Sequence, residues 1–143
     1  MRFCFVLPLL VLLLIFGCDI PRDPAGSFAR AQREALRVGI TDNPPFVIIS
    51  DDDLHGTEIT IVEEFAGANG MDIRYVMGSE SSLVRQLERR ELDVVIGGLE
   101  KTSVWTREVG ASVPYDGRHV FLIPRGENKL LYHLESTLRK PRS

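Results

Sequence analysis

The residues best suited to chemistry in this chain follow a short apolar run near its middle. Val94, Val95 and Ile96 form a β-branched run that is typical of a strand buried on both faces. Gly97 and Gly98 end the run and allow a sharp turn or a close approach of the backbone to a ligand. Because ligands of open α/β sheets bind beyond the carboxyl ends of the strands, this turn is a candidate site for hydrogen bonding to a ligand. An ordinary strand with a glycine stop is the alternative.

The sequence offers little for covalent or metal chemistry. It contains no phosphate-binding glycine loop, no dinucleotide fingerprint and no serine in a nucleophile elbow. No two of its histidines stand at metal-ligand spacing; they are His55, His119 and His133. The consecutive aspartates at 51–53 do not have the spacing of an EF-hand loop. We therefore predict no catalytic residues, no metal and no cofactor, and an enzyme is disfavoured.

The N-terminus predicts export and lipid attachment. Residues 3–16 are almost wholly apolar and too few for the roughly 20-residue span of a membrane helix, which is typical of a secretory signal. A short transmembrane anchor is the alternative. The stretch ends in Ile15-Phe16-Gly17-Cys18, which resembles a bacterial lipobox with Cys18 as the site of lipidation, palmitate being a typical acyl chain. Asp19 resembles the signal that keeps lipoproteins in the inner membrane, so we expect the protein on its periplasmic face.

Length and composition indicate one compact domain behind that signal. The chain has 143 residues, of which 44% are apolar and 26% charged, and its formal net charge of −3 disfavours a nucleic-acid partner. Cys4 leaves with the signal and Cys18 takes the lipid, so no thiol remains for a disulfide or a metal. The predicted organisation is a signal peptide at 1–17, the lipidated cysteine and a tether at 18–34, and one domain at 35–143. The last part of the tether, from Phe28 towards Ala35, is a candidate helical turn.

Apolar periodicity predicts alternating strands and helices in this domain. Strands are predicted at 36–40, 46–49, 72–76, 93–96 and 119–123. A polar turn is predicted from Ser50 to Gly56, and helices are capped by Thr57 and Ser79. A last amphipathic helix carries Leu130, Leu131, Leu134 and Leu138. This alternation predicts an α/β fold, a three-layer domain with a mainly parallel sheet.

The order of these motifs resembles the first lobe of the bacterial extracellular solute-binding proteins of family 3, the polar amino-acid class. The resemblance covers about residues 35 to 125. It is carried by Leu36-Arg37-Val38-Gly39-Ile40, Asn43-Pro44-Pro45-Phe46, Gly56, Gly70, Leu87 through Asp93 to Gly98, Thr102 and Ser112-Val113-Pro114-Tyr115. It implies a single lobe of the periplasmic-binding-protein type.

Proteins of this family have two lobes that close on a ligand. After the strand ending at Ile123, the family chain crosses into the second lobe and later returns to end in a helix. Here Gly126-Glu127-Asn128 leads directly into what resembles that final helix. We therefore expect the first lobe and the closing helix, with the second lobe absent.

The resemblance also implies a change in ligand chemistry. Counting from Gly98 without gaps, Thr102 and Tyr115 fall on the family's threonine and tyrosine, and Trp105 falls where the family usually places an arginine that binds the α-carboxylate of the ligand. Arg107 stands two positions further on. A charge-assisted hydrogen bond of that kind contributes about 1.5–3 kcal/mol. Tight binding of free amino acids is therefore not expected.

Without the second lobe, the resemblance implies a half-site, which is the part of the ligand-binding cleft that the first lobe supplies. It lies at the carboxyl ends of neighbouring strands. Phe46 and Trp105 offer aromatic faces, Thr102 a hydroxyl and the glycine turn free backbone N–H groups. Core packing is the alternative for Phe46. The predicted ligand- or partner-binding residues are Asn43, Pro45, Phe46, Glu58, Gly97, Gly98, Leu99, Thr102, Trp105 and Tyr115.

These features favour a membrane-anchored, solute-binding-like lipoprotein, an accessory binding module of an ABC transporter or another envelope complex. A protein partner or a second copy would complete the cleft, and a small-molecule ligand is a further candidate. The alternative is a structural or regulatory lipoprotein that has lost ligand binding. A cell-wall lytic enzyme carrying a solute-binding-like module would need a catalytic domain, which we do not find in this sequence.

Overall fold

The structure, a computed structural model, describes residues 23–142, so the predicted signal peptide and Cys18 lie outside the described residues. Its helices are α1 (Ser27–Arg33), α2 (Thr57–Ala68), α3 (Glu80–Glu88) and α4 (Asn128–Leu138), with a 3-10 turn at Val104–Arg107. Its strands are β1 (Leu36–Ile40), β2 (Ile48–Ser50), β3 (Asp53–His55), β4 (Ile73–Met77), β5 (Val94–Ile96), β6 (Gly110–Ala111) and β7 (Leu122–Ile123). Between residues 23 and 142, no helix has the length and apolar character needed to cross a membrane.

Five strands form one sheet in the order β4-β1-β5-β7-β6. Strand β1 is parallel to β4 and to β5, whereas β7 is antiparallel to β5 and to β6. Only β7 therefore runs against the other strands of this sheet, and the mainly parallel sheet predicted from the sequence is confirmed. The parallel strands place the ends of β4, β1 and β5 at one edge, which we call the carboxyl edge.

Helices cover both faces of the sheet. Val94 and Ile96 of β5 face a hydrophobic cluster that includes residues of α1, α2 and α4, such as Phe65. Val95 faces a second cluster, which includes Leu83 of α3. The β-branched run is thus buried on both faces, and the three-layer architecture is confirmed.

The helices begin and end close to their sequence signals. Ser79 caps α3, its Oγ accepting a hydrogen bond from the Ser82 N–H at 3.3 Å. Thr57 was predicted to cap α2 but is its first helical residue, preceded by Gly56 with φ 135°. Gly56 is needed there because a Cβ at this position would lie 2.3 Å from the carbonyl oxygen of Phe46. The loop before β2 is therefore pressed against the start of α2.

The segment between β1 and α2 differs from its prediction. The strand predicted at 46–49 is β2, which pairs with β3 in a separate antiparallel hairpin outside the main sheet. The predicted polar turn from Ser50 to Gly56 thus contains a strand. Leu54 of β3 is half-buried while Asp53 and His55 beside it are exposed, the alternation of an amphipathic strand. Because the three residues before Leu54 are all aspartates, the polarity pattern of the sequence does not show this alternation.

The packed fold begins before the predicted domain boundary. Residues 27–33, which the sequence analysis assigned to the tether, form α1. Phe28 and Ala31 of α1 are 4% and 0% exposed and belong to the main hydrophobic cluster. Their spacing of three residues places both on one face of the helix, which explains why so short a segment packs onto the sheet.

Buried charges hold α1 and the start of α4 at the opposite, amino edge of the sheet. Asp93 is fully buried and accepts hydrogen bonds from the Arg30 guanidinium at 2.5 and 2.6 Å and from the Arg37 N–H at 2.8 Å. Glu127, also fully buried, accepts from the Ser27 hydroxyl at 2.6 Å and pairs with Arg90. We call these residues the amino-edge network; it joins the N-terminal segment to the lobe.

Candidate functional site

The turn after β5 is built by two glycines that other residues approach closely. Gly98 has φ 68°, and a Cβ there would lie 2.4 Å from Phe46 Cδ2 and 2.6 Å from Asn43 Nδ2. The Asn43 amide donates to the Gly97 carbonyl at 2.8 Å. A side chain at residue 98 would therefore displace the loop that carries Asn43 and Phe46.

A buried carboxylate joins this turn to two other segments. Glu58, in the first turn of α2, is 0% exposed. Its Oε2 accepts the Gly97 N–H at 2.8 Å and the Gly98 N–H at 3.0 Å, and its Oε1 accepts the Tyr115 hydroxyl at 2.7 Å. We call these four residues the Glu58 junction. It brings together groups that are 39, 40 and 57 residues from Glu58 in sequence.

The loop before β2 is tied to the same junction through the backbone. The Glu58 N–H donates to the Phe46 carbonyl at 3.0 Å, and the Thr57 N–H donates to the Pro45 carbonyl at 3.1 Å. The N-terminal end of α2 therefore fixes this loop on one side while its Glu58 side chain fixes the glycine turn on the other.

The Glu58 carboxyl is held by neutral donors. Burial raises the pKa of Glu58 against the opposing effect of the hydrogen bonds from Tyr115, Gly98 and Gly97. Burial, together with the neighbouring Glu58 charge, also raises the pKa of Tyr115. The sequence analysis expected free N–H groups at the glycine turn, and this expectation is wrong. The Glu58 carboxylate occupies both N–H groups, because a buried carboxylate needs such donors.

The surface above the junction is aromatic. Phe46 is half-buried, and its ring centroid lies 4.4 Å from that of His119. The His119 Nδ1 lies 2.6 Å from Asp116 Oδ2. Partial burial opposes ionisation of Asp116, but the hydrogen bonds from His119 and from the Arg118 N–H dominate and lower its pKa to about 2. The half-site therefore presents an aromatic surface flanked by an anchored carboxylate.

His119 and Asp116 were not among the predicted site residues. The sequence signal that would find them is the turn Asp116-Gly117-Arg118-His119, in which an aspartate side chain accepts the N–H groups of the residues two and three positions on. The sequence analysis placed His119 at the start of the strand predicted at 119–123 and assigned no role to Asp116. Both side chains matter because their turn lies beside Tyr115 and hence beside the Glu58 junction.

The other predicted residues lie in different surroundings. Leu99 is 3% exposed and belongs to the second hydrophobic cluster, so its side chain is core. Thr102 is exposed and lies next to Glu100, which is paired with Arg118 at 2.7 Å. The structure thus brings Asn43, Pro45, Phe46, Glu58, Gly97, Gly98 and Tyr115 into one contact network and leaves Leu99 and Thr102 out of it.

Trp105 is fixed to a different element. Its ring is half-buried against the second hydrophobic cluster, and its Nε1 donates to Glu80 Oε2 at 2.9 Å in the first turn of α3. The sequence analysis expected the indole to offer an aromatic face to a ligand or partner. The structure instead removes part of the ring from water and gives its N–H a carboxylate partner, as buried tryptophans require. A role for the exposed remainder of Trp105 in binding stays a prediction.

Comparisons with known proteins identify the family and the fold. The sequence matches the bacterial extracellular solute-binding proteins, family 3, over residues 36–141. A membrane-bound lytic murein transglycosylase F of Idiomarina loihiensis is 30% identical over 113 residues, covering 78% of this chain. The match spans only 25% of that relative's length. The similarity therefore gives no information about the function of the rest of that relative.

Solved structures of similar fold include single lobes. The arginine-bound form of domain 1 from TmArgBP superimposes with a TM-score of 0.66 at 24% identity, covering 73% of this chain and 90% of that domain. The arginine-bound form of truncated ArgBP from T. maritima gives a TM-score of 0.68 at 15% identity, covering 78% and 97%. At these identities the likeness shows the fold, which is that of one lobe of an amino-acid-binding protein.

Proposed function

The chain belongs to family 3 of the bacterial extracellular solute-binding proteins, and from this premise we propose that it is a lipid-anchored binding module of the cell envelope. Its single lobe recognises a small molecule or a partner at the carboxyl edge, as an accessory to a transporter or another envelope complex. The observation that carries this proposal is the Glu58 junction. It holds the loop with Phe46, the glycine turn and the segment with Tyr115 in one fixed arrangement.

A fixed arrangement of this kind favours binding because little ordering entropy is lost when a ligand arrives. The junction uses the strongest hydrogen-bonding groups of the turn internally, so the ligand meets mainly the Phe46 ring, the His119 ring and the Asp116 carboxylate. These groups favour a ligand with an apolar or aromatic body and a cationic group. A free α-carboxylate has no charged partner among the described residues of the junction.

The arginine-bound domain 1 of TmArgBP, whose fold this chain shares, supports the proposal that a single lobe can bind a ligand. With Trp105 at the place where the family usually has an arginine, and with that indole bonded to Glu80, we expect free amino acids to bind weakly. A partner chain covering the carboxyl edge would supply the contacts that a second lobe provides elsewhere in the family.

Calorimetry on the full chain in detergent tests ligand binding at this edge. L-Arginine, L-glutamate and a muropeptide mixture are titrated into wild type and Phe46→Ala. The muropeptides are included because the I. loihiensis relative is named for murein. Saturable binding that Phe46→Ala weakens supports the proposal, and Tyr132→Ala serves as a control because Tyr132 is 70% exposed on α4. Tight amino-acid binding, at micromolar concentration or below, would contradict the half-site.

A second candidate is a structural or regulatory lipoprotein without ligand binding. The observation in its favour is that Glu58 occupies both glycine N–H groups and the Tyr115 hydroxyl. If no ligand binds while Phe46→Ala weakens co-purification of a defined envelope partner, this second candidate is preferred. Catalytic activity is proposed for neither candidate.

Membrane attachment through Cys18 is tested by Cys18→Ser. Wild type is expected to incorporate radiolabelled palmitate and to fractionate with inner membranes, because Ile15-Phe16-Gly17-Cys18 resembles a lipobox. The variant should lose the label and either remain unprocessed or appear in the soluble periplasmic fraction. Equal labelling and equal membrane association of both proteins would exclude a lipid anchor at this residue.

A further inference from the structure

The main sheet leaves one long strand unpaired on its outer side. Strand β4 is the outermost strand at one end of the sheet and has five residues, whereas β6 at the other end has two. None of the five residues of β4 is fully buried. A long open edge is a template for pairing with another chain, and natural proteins usually shorten or cover such edges. Within residues 23–142, no further strand pairs with β4.

The register shows which backbone groups are open. The Leu36 N–H donates to the Asp72 carbonyl at 2.8 Å, and the Gly78 N–H donates to the Ile40 carbonyl at 3.1 Å. In a parallel ladder with this register, Arg74 and Val76 bond to β1. The N–H and C=O groups of Ile73, Tyr75 and Met77 therefore point away from the sheet, ready for an added strand.

An apolar groove lies beside the same residues. It has a volume of about 310 Å³ and lies between β4 and the β2–β3 hairpin. Its apolar lining is Ile40, Ile49, Leu54, Tyr75 and Met77. Met77 is 68% exposed, and the Tyr75 hydroxyl is buried without a hydrogen-bond partner among the described residues. Because side chains alternate along a strand, every second side chain of an added strand would lie on the face of the sheet that carries this groove.

The charges around the edge decide what kind of partner fits. Asp52 and Asp53 line the groove, and the Asp53 carboxylate lies 2.9 Å from the His55 Nδ1. Burial and the charge of the nearby Glu63 raise the pKa of Tyr75 to about 12. Arg74 is the only basic residue of β4. Two copies of this edge would bring acidic groups together, whereas lysine or arginine would be attracted to them.

We infer that β4 and the adjacent groove bind an extended segment of another protein by strand addition, a segment with alternating apolar side chains and a lysine or arginine that meets Asp52 and Asp53. The backbone hydrogen bonds come from Ile73, Tyr75 and Met77. The groove selects the apolar side chains, and the two aspartates select the charge. This surface is separate from the Glu58 junction and does not depend on what binds there.

Strand addition is tested with a defined peptide on the full chain in detergent. The probe is fluorescein-labelled Lys-Val-Thr-Val-Thr-Val-Lys, followed by fluorescence anisotropy. Two analogues carry backbone N-methyl groups, one on the odd and one on the even positions, with side chains and charge retained. One analogue should bind about tenfold more weakly or worse, since it loses two or three backbone hydrogen bonds to β4, while the other binds like the parent.

Hydrogen exchange and variants complete the test. Bound parent peptide should slow exchange of the Ile73, Tyr75 and Met77 amides. Met77→Lys and the double variant Asp52→Asn, Asp53→Asn should weaken binding, with Glu88→Gln on exposed α3 surface as the control. The inference is overturned if the parent peptide does not bind, if both N-methyl analogues bind equally well, or if a peptide with glutamate in place of lysine binds as tightly.

Discussion

The two edges of the sheet each contain a buried carboxylate, but the two are compensated differently. At the amino edge, Asp93 faces two guanidinium groups, those of Arg30 and Arg37, as well as a backbone N–H. At the carboxyl edge, Glu58 faces two backbone N–H groups and the Tyr115 hydroxyl, all neutral. Both side chains are 0–1% exposed, so the difference lies in the partners and not in burial.

This difference assigns separate roles to the two edges. The ionic pairing of Asp93 with Arg30 and Arg37 joins α1 to the sheet, which is a structural task. Neutral donors compensate a buried charge less completely, and burial accordingly raises the pKa of Glu58. Perturbed carboxyls of this kind are common at functional sites. The carboxyl edge is therefore the edge that we expect to respond to protonation and to ligands.

The largest effect is expected at the amino edge, from Asp93→Ala. Removing one partner of a buried ion pair costs about 3–5 kcal/mol, and we expect the lower part of this range because Arg30 and Arg37 remain 19% and 26% exposed. Chemical denaturation measures the loss. Glu34→Ala is the matched control, since Glu34 also contacts Arg30 but is 66% exposed. Equal effects of the two variants would contradict a structural role for Asp93.

A smaller effect is expected at the carboxyl edge, from Glu58→Ala. It leaves the N–H groups of Gly97 and Gly98 and the Tyr115 hydroxyl without their acceptor, and we expect a loss of about 2–3 kcal/mol. Tyr115→Phe removes only one of these bonds and should lose about 1 kcal/mol. The two edges would differ less than we argue if Glu58→Ala destabilised the protein as much as Asp93→Ala.

The pH dependence of unfolding separates the edges further. Because the pKa of Glu58 is raised in the folded state, its protonated form stabilises the fold fully below about its ordinary value of 4.5. That contribution is lost as pH rises through the folded-state pKa. The unfolding free energy of wild type, measured relative to Glu58→Gln, should therefore fall as pH increases above 4.5. A difference that increases with pH would mean that the junction favours the charged carboxylate.

An effect about as small as that of Tyr115→Phe is expected from Trp105→Phe, which tests whether the hydrogen bond to Glu80 holds the 3-10 turn to α3. The substitution keeps an aromatic ring and removes the hydrogen bond to Glu80, so we expect a loss of about 0.5–1.5 kcal/mol. In a double-mutant cycle with Glu80→Ala, the two losses should not add. Additive losses would show that this pair does not hold the 3-10 turn to α3.

Much of the scaffold follows from local sequence patterns. The run from Val94 to Ile96 predicted a doubly covered strand, and the structure buries all three residues. The apolar stripe of the last helix predicted one buried face of α4, and Leu130, Leu134 and Leu138 are each at most 3% exposed. The sequence analysis missed strand β3 because the aspartates at 51–53 obscure the alternation of exposed and half-buried residues. It also missed that α1 packs onto the sheet, because this helix has only seven residues.

The sequence by itself determined most of the strands and helices, because burial on one face leaves a repeat of 2 or about 3.6 residues along the chain. It also determined that Gly97 and Gly98 end a buried strand. Only the tertiary structure decided that Glu58 occupies their N–H groups, that Trp105 bonds to Glu80 and that Asp93 binds Arg30. These partners lie 25 to 63 residues apart in sequence. No local repeat encodes such pairs, since they depend on how the helices and loops pack around the sheet.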